Sequence, residues 1–182
     1  MKINQESLIS DLIERTRLVL NSAEQYNQLT LEQLNYRSSN ESWSILECIE
    51  HLNLYGDFYL PEIENKIIFS NSKPAAIFKS GLLGNYFAKS LLPKEKLNKM
   101  KTFKDKNPMG SDLSKATLVR FVNQQKRMLD LLDQSRKVNL NKIKTGITIA
   151  NWIKLRLGDT FRVVIYHNQR HIVQANTVLK QM

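Results

Sequence analysis

Residues 157-LGDTFRVVIYHNQRHIVQANTVLKQM-182 hold one early glycine, no proline and apolar positions at helical spacing. Such a run forms a helix that starts near Gly158 or Asp159 and continues almost to Met182. Its two histidines, His167 and His171, are four apart and stack on one face. At about 100° per residue, Thr160, Val163, Val164, Gln174 and Val178 fall within about 60° of His167. Arg162, Tyr166 and Gln169 fall on the opposite side. Both imidazoles therefore project inward or into a cleft.

The same periodicity predicts three more long helices. Ser7 to about Gln28 carries a stripe of Leu8, Ile9, Leu12, Ile13, Thr16, Val19, Leu20 and Ala23. A short turn at Thr30–Leu34 has Thr30 and Gln33 at capping-box spacing, and Ser44-Ile45-Leu46-Glu47 is a second capping box. Behind it Ile45, Ile49, Leu52, Tyr55, Tyr59 and Ile63 form the apolar face of a helix that Pro61 should kink or end. Glu47, Cys48, Leu54, Tyr55 and Phe58 flank His51 on that helix, so His51 points inward, with Glu50, Asn53, Asp57 and Glu64 toward solvent. Ser114–Gln134 is the third helix. Residues 66–112 are a long connection with a short helix in 81-GLLGNYFAKSLLP-93. Residues 135–157 have no clear period, although Trp152, Ile153, Leu155 and Leu157 can pack. Four long helices with one long crossover between the second and third make an all-α four-helix bundle, expected as a single domain over 1–182.

Composition agrees. The 182 residues are 42% hydrophobic and 24% charged, with only six glycines and four prolines. That argues against a β-sandwich or barrel, and a dinucleotide-binding sheet lacks its Gly-rich loop. One cysteine excludes a disulfide framework and a cysteine-based zinc finger, and suits a reducing cytoplasm. The opening MKINQESLISDLIERT has no uninterrupted apolar core, and no run approaches the roughly 18 apolar residues of a membrane span. A soluble cytoplasmic protein without a membrane partner is expected.

The net charge is +10, and nine lysines between Lys73 and Lys106, against Glu95 and Asp105, supply +7 of it. Such a segment invites a nucleic-acid or anion-binding reading. It holds no arginine and only Phe78, Tyr86, Phe87 and Phe103 for stacking on bases, and no helix-turn-helix is evident. A solvated loop near the open end of the cleft is the plainer reading.

His51, His167 and His171 are candidate metal ligands, because bundles assemble metal sites from inward side chains on different helices. The bland alternative is three histidines hydrogen-bonded to neighbours. The residues between the pair, Asn168, Gln169 and Arg170, exclude an HExxH motif. Cys48 is a fourth ligand, a nucleophile or simple packing. Glu47 is a base beside His51 or only a cap. Trp43 is a plug over the bundle end or a substrate platform. Imidazoles must be neutral to ligate, so metal affinity should fall below the roughly pH 6.5 of a free imidazole.

The segments 29-LTLEQLNYRSSNESWSILECIEHLNLY-55 and 157-LGDTFRVVIYHNQRHIVQANTVL-179 resemble the two signatures of the DinB/YfiT-like superfamily. The first has Trp-Ser-Ile ahead of a histidine-bearing helix; the second has two histidines four apart followed by a glutamine. The crossover from 98-NKMKTFKDKNPMG-110 onward fits in length and order. The resemblance implies an up-and-down-type bundle with a long crossover and a divalent metal on His51, His167 and His171, with Gln174 and Arg170 supporting them. Zinc or nickel suits imidazole ligands, and iron or manganese is tolerated. The superfamily includes thiol S-transferases for low-molecular-weight thiols, isomerases, hydrolases and members without a known reaction. The expectation is a metal-dependent hydrolase or thiol transferase for a small molecule, with its catalytic residues unassigned. The alternatives are a nucleic-acid- or anion-binding protein using residues 73–106, or a non-catalytic metal-binding bundle. Whether a homodimer forms is left open.

Overall fold

The computed structural model describes residues 1–93, 100–148 and 150–182. Lys94, Glu95, Lys96 and Lys99 of the lysine-rich segment lie outside the described residues. In chain order the elements are β1 (Lys2–Asn4), α1 (Gln5–Tyr26), α2 (Leu31–Asn35), α3 (Ile45–Ile68), β2 (Ile77–Lys79) and α4 (Leu82–Leu91). They continue with α5 (Ala116–Gln134), β3 (Lys144–Ile147), β4 (Ala150–Arg156) and α6 (Leu157–Leu179).

α1, α2 and α3 begin at side-chain caps, whereas α5 and α6 have none. Asn4 accepts from the Ser7 amide ahead of α1. Both halves of the Thr30/Gln33 and Ser44/Glu47 capping boxes are made. α3 does not end at Pro61 but runs through it to Ile68. The proline removes one donor to the Asp57 carbonyl, and Asp57 and Pro61 are both exposed, so water can replace it.

The four long helices form a ring, α1 against α5, α5 against α3, α3 against α6 and α6 against α1. In an up-and-down bundle consecutive helices are neighbours; here, of the consecutive long pairs, only α3 and α5 are. The fold is the expected four-helix bundle with a different order around the ring. Its interior holds two apolar clusters. One gathers Leu8, Leu12, Ile63, Leu132, Phe161 and Ile165, the other Trp43, Cys48, Ile49, Leu52, Phe121 and Ile172.

Two short antiparallel ribbons complete the structure. β1 pairs with β2, matching Ile3 to Phe78, and β3 pairs with β4 to form a hairpin between α5 and α6. The hairpin explains why residues 135–157 show no helical period. In β4 alternate side chains face opposite ways, so Leu155 is buried whereas Trp152 is 83% exposed and does not pack as expected. A Cβ on Gly158 would lie 2.6 Å from the buried Phe78 ring, so glycine there lets β2 close on α6.

The helical-wheel assignments fail where α6 has no solvent side. α1, α3 and α4 all pack against it. Arg162 and Tyr166, expected outside, are therefore buried, with Tyr166 lying under the guanidiniums of Arg15 and Arg162. Gln169 is half-buried and accepts from Arg15. On α3, Asn53 is buried and donates to the Thr117 carbonyl of α5, while Phe58 is exposed. Among the described residues, no helix is long and apolar enough to cross a membrane.

Candidate metal centre

The Ser44/Glu47 box fixes the start of α3 and places His51 a turn further on. Glu47 is fully used there. It accepts from the Ser44 amide, from Arg37 and from the Gly110 amide, which pins the 107–110 turn against α3. Its role is structural anchoring, so the reading of Glu47 as a base beside His51 gains nothing from the structure.

His51 from α3 meets His167 and His171 from α6. The Nε2 atoms of His51 and His167 lie 3.2 Å apart, and those of His171 and His167 lie 3.1 Å apart. His51 Nδ1 donates to the Lys106 carbonyl at 2.6 Å, and His171 Nδ1 donates to Gln174 Oε1 at 2.9 Å. With the Nδ1 protons placed, the Nε2 atoms of His51 and His171 carry lone pairs. Both lone pairs are aimed at the same small volume as His167 Nε2.

Burial keeps these rings neutral. It pushes His51 down to about 4 and His171 to about 3, and it holds His167 well below the ordinary imidazole value. Each imidazolium would also repel its neighbours.

The arrangement fits a divalent cation on its own chemistry. With the His167 proton on Nδ1, three neutral nitrogen donors face one another, and a positive charge between them removes their mutual repulsion. Nitrogens sharing one ion at about 2.0–2.1 Å lie about 2.8–3.4 Å apart for right-angled to tetrahedral geometry, and the observed spacings fall in that range. Among the described residues, these three histidines form a donor group able to hold a metal ion.

A cleft of about 730 Å³ opens onto the imidazoles. Trp43 lines it, 4.7 Å from the His51 ring and stacked on His171 at 5.7 Å. Trp43 is thus buried in the second apolar cluster and also forms a wall of the site. Tyr55 stands edge-on to His167 at 4.8 Å, and burial pushes its hydroxyl up to about 12. Arg170, Gln174 and Lys101 line the cleft too, with Glu41 the carboxylate among its described lining residues. The connection reaches the cleft as expected, through Met100, Phe103 and Met109. Its lysines 73, 79, 89, 101 and 104 are exposed, but residues 77–79 and 82–91 are strand and helix, not free loop.

Cys48 is not part of the site. It is fully buried in the apolar cluster, and desolvation raises its thiol far above the ordinary value, so it packs and does not react. The Lys106 carbonyl, the Met100–Met109 wall and the placing of Trp43 against both helices escaped the sequence reading. Only Trp43 carried a signal, its position one residue ahead of a cap that leads to His51.

Fold and site together define a class: a helical bundle with a three-imidazole centre at the floor of an open cleft. The chain belongs to the DinB superfamily, whose sequence model matches residues 13–175. YfiT from Bacillus subtilis shares the fold, with a TM-score of 0.57, 14% identity, and coverage of 96% of this chain and 87% of that one. YfiT is described as a probable metal-dependent hydrolase with an unusual four-helix bundle topology. No curated protein sequence matches the chain.

Proposed function

We propose that the protein is a metal-dependent enzyme whose His51, His167 and His171 bind one divalent ion, and that it acts on a small molecule as a hydrolase or thiol S-transferase. The observation that carries this reading is the convergence of three neutral Nε2 atoms at the floor of an open cleft. The description of the similarly folded YfiT supports it.

An ion held by three neutral imidazoles keeps its full charge and an open position, and supplies the Lewis acidity that lowers the pKa of a water to about 7 or deprotonates a thiol. Hydrolysis and thiol transfer are then one electrostatic scheme with two nucleophiles. Zinc and nickel suit the donors best, with iron and manganese tolerated.

The chain's own groups do the rest. The Lys106 carbonyl and Gln174 hold two imidazoles in the ligating tautomer. Tyr55, protonated at neutral pH, presents a hydrogen-bond donor at the cleft wall. Lys101, from the connection, adds positive charge to the cleft rim, which favours acidic substrates or anionic low-molecular-weight thiols.

The test is metal analysis of protein purified without a histidine tag, followed by assays on ester, amide and thiol-transfer panels. A stoichiometric divalent ion with metal-dependent turnover that His167→Ala abolishes is expected. Absence of any bound divalent ion, or turnover unchanged in His167→Ala, refutes the reading.

A further inference from the structure

The cleft changes character with depth. Its floor is polar and buried, with His51 and His171 only 2% and 8% exposed. At its mouth stand Met100, Phe103 and Met109, which are 49%, 49% and 38% exposed. All three line the cleft. Three large apolar side chains on a short irregular segment are thus held in water, and all three face one concavity. Trp43, Val163 and Val164 line the same cleft from the helical side.

An occupant that removes this apolar surface from water gains on the order of 25 cal/mol for each Å² covered. The volume of about 730 Å³ lies within the roughly 300–1,000 Å³ of small-molecule sites. Methionine side chains are unbranched and polarizable, so a wall with two of them adapts to apolar groups of varied shape and does not select one outline.

We infer that the substrate is a small amphipathic molecule. Its aryl or short alkyl portion lies between Trp43 and the Met100–Phe103–Met109 wall, and its reacting polar end meets the imidazoles. Assigning the reacting end rests on the proposed metal-dependent function. The apolar subsite does not, because its side chains are in place without an ion.

The test uses metal-free protein carrying ¹³C-methyl methionine, titrated with 4-methyl-, 4-ethyl-, 4-propyl- and 4-butylphenol. Of the five methionines, Met128 is buried in the core and Met182 is at the chain end, so both serve as internal controls. The Met100 and Met109 signals should move and saturate while Met128 and Met182 stay still. Affinity should rise about two- to fourfold with each methylene, the upper value being a full CH₂ burial of about 0.8 kcal/mol. The double variant Met100→Ser/Met109→Ser changes only exposed side chains, and should bind 4-butylphenol about tenfold more weakly with a flatter chain-length dependence.

Movement of Met128 together with the others, no dependence on chain length, or unaltered binding by the double variant overturns the inference. Zinc binding, measured on the same parent protein, separates the two proposals. If the phenols bind as expected and the parent takes no zinc, the apolar subsite stands and the metal-dependent reading falls. If zinc binds and the phenols do not perturb Met100 or Met109, the reverse holds.

Discussion

α6 carries two buried polar clusters little more than two turns apart, and they are built on opposite principles. Near its start, Asp159 accepts from the Gly81 amide, from Ser80 and from Arg162, which also donates to Ser80 and Asn85. Opposite charges and donors close that cluster on itself; among its described polar atoms only Arg162 Nε lacks a partner. Further along, His167 and His171 face His51 with ring nitrogen toward ring nitrogen. The first cluster is closed by partners within the chain except at Arg162 Nε. The second brings together three nitrogen donors that could hold a metal ion. Burial alone therefore does not separate a structural polar group from a functional one; the sign of what converges does.

The largest expected effect breaks the first cluster. Asp159→Ala leaves Arg162, with its side chain 3% exposed, without its carboxylate. Stranding a buried charge costs about 3–5 kcal/mol, read from urea unfolding of the metal-free protein. The response of the surviving fold to zinc should be unchanged. A cost below about 1 kcal/mol would show that the pair is not the closed unit described.

Acid should act on the second cluster. The unfolded chain takes up protons on its histidines below about pH 6.5, whereas in the folded chain His51 waits until about 4 and His171 until about 3. These folded values are depressed, so their contribution is present above pH 6.5 and is lost as pH falls toward 4. The loss should be on the order of 3 kcal/mol for each of the two histidines, measured by unfolding the metal-free protein across that window. A His51→Gln/His171→Gln double variant should lose most of the slope. An equal slope in the double variant would locate the titration elsewhere.

Under the proposed function, zinc or nickel at about 100 times its dissociation constant adds roughly 2.7 kcal/mol at pH 7.5. His51→Ala and His167→Ala should each remove most of the rise in Tm. Gln169→Ala loses its bond from Arg15 but touches no imidazole, and should keep the rise. The depressed imidazole values revise the acid limit: the rise should persist at pH 5 and fade toward pH 4, not near the 6.5 of a free imidazole. Loss of the rise by pH 6 would contradict the burial described.

The smallest effect concerns orientation alone. Gln174→Ala frees His171 Nδ1 from its acceptor and should weaken zinc binding about tenfold in chelator competition. Unchanged affinity would mean that packing against Trp43 already sets the ring.

The bundle and the inward facing of three histidines were legible because they follow from spacing: apolar stripes, two capping boxes and an i, i+4 pair. What was not legible followed from neighbours. The wheel for α6 assumed one solvent face, and α4 together with α1 covers it, so Arg162 and Tyr166 are inside. The β3–β4 hairpin is too short for its alternation to register, which left Trp152 misassigned. The cleft's mouth depends on a segment between helices folding back onto α3, a contact made through the Gly110 amide and the Lys106 carbonyl.

That last contact bears on how the site tolerates change over generations. The acceptor for His51 belongs to the main chain, so no ordinary side-chain replacement at position 106 deletes it. The lysine side chain, paired with Asp105 and over the Tyr55 ring, is not what holds the imidazole. The register of the segment matters instead: inserting or removing a residue between Phe103 and Gly110 would carry a different carbonyl, or none, to the imidazole. The support of His51 is thus inherited as a length and not as a letter.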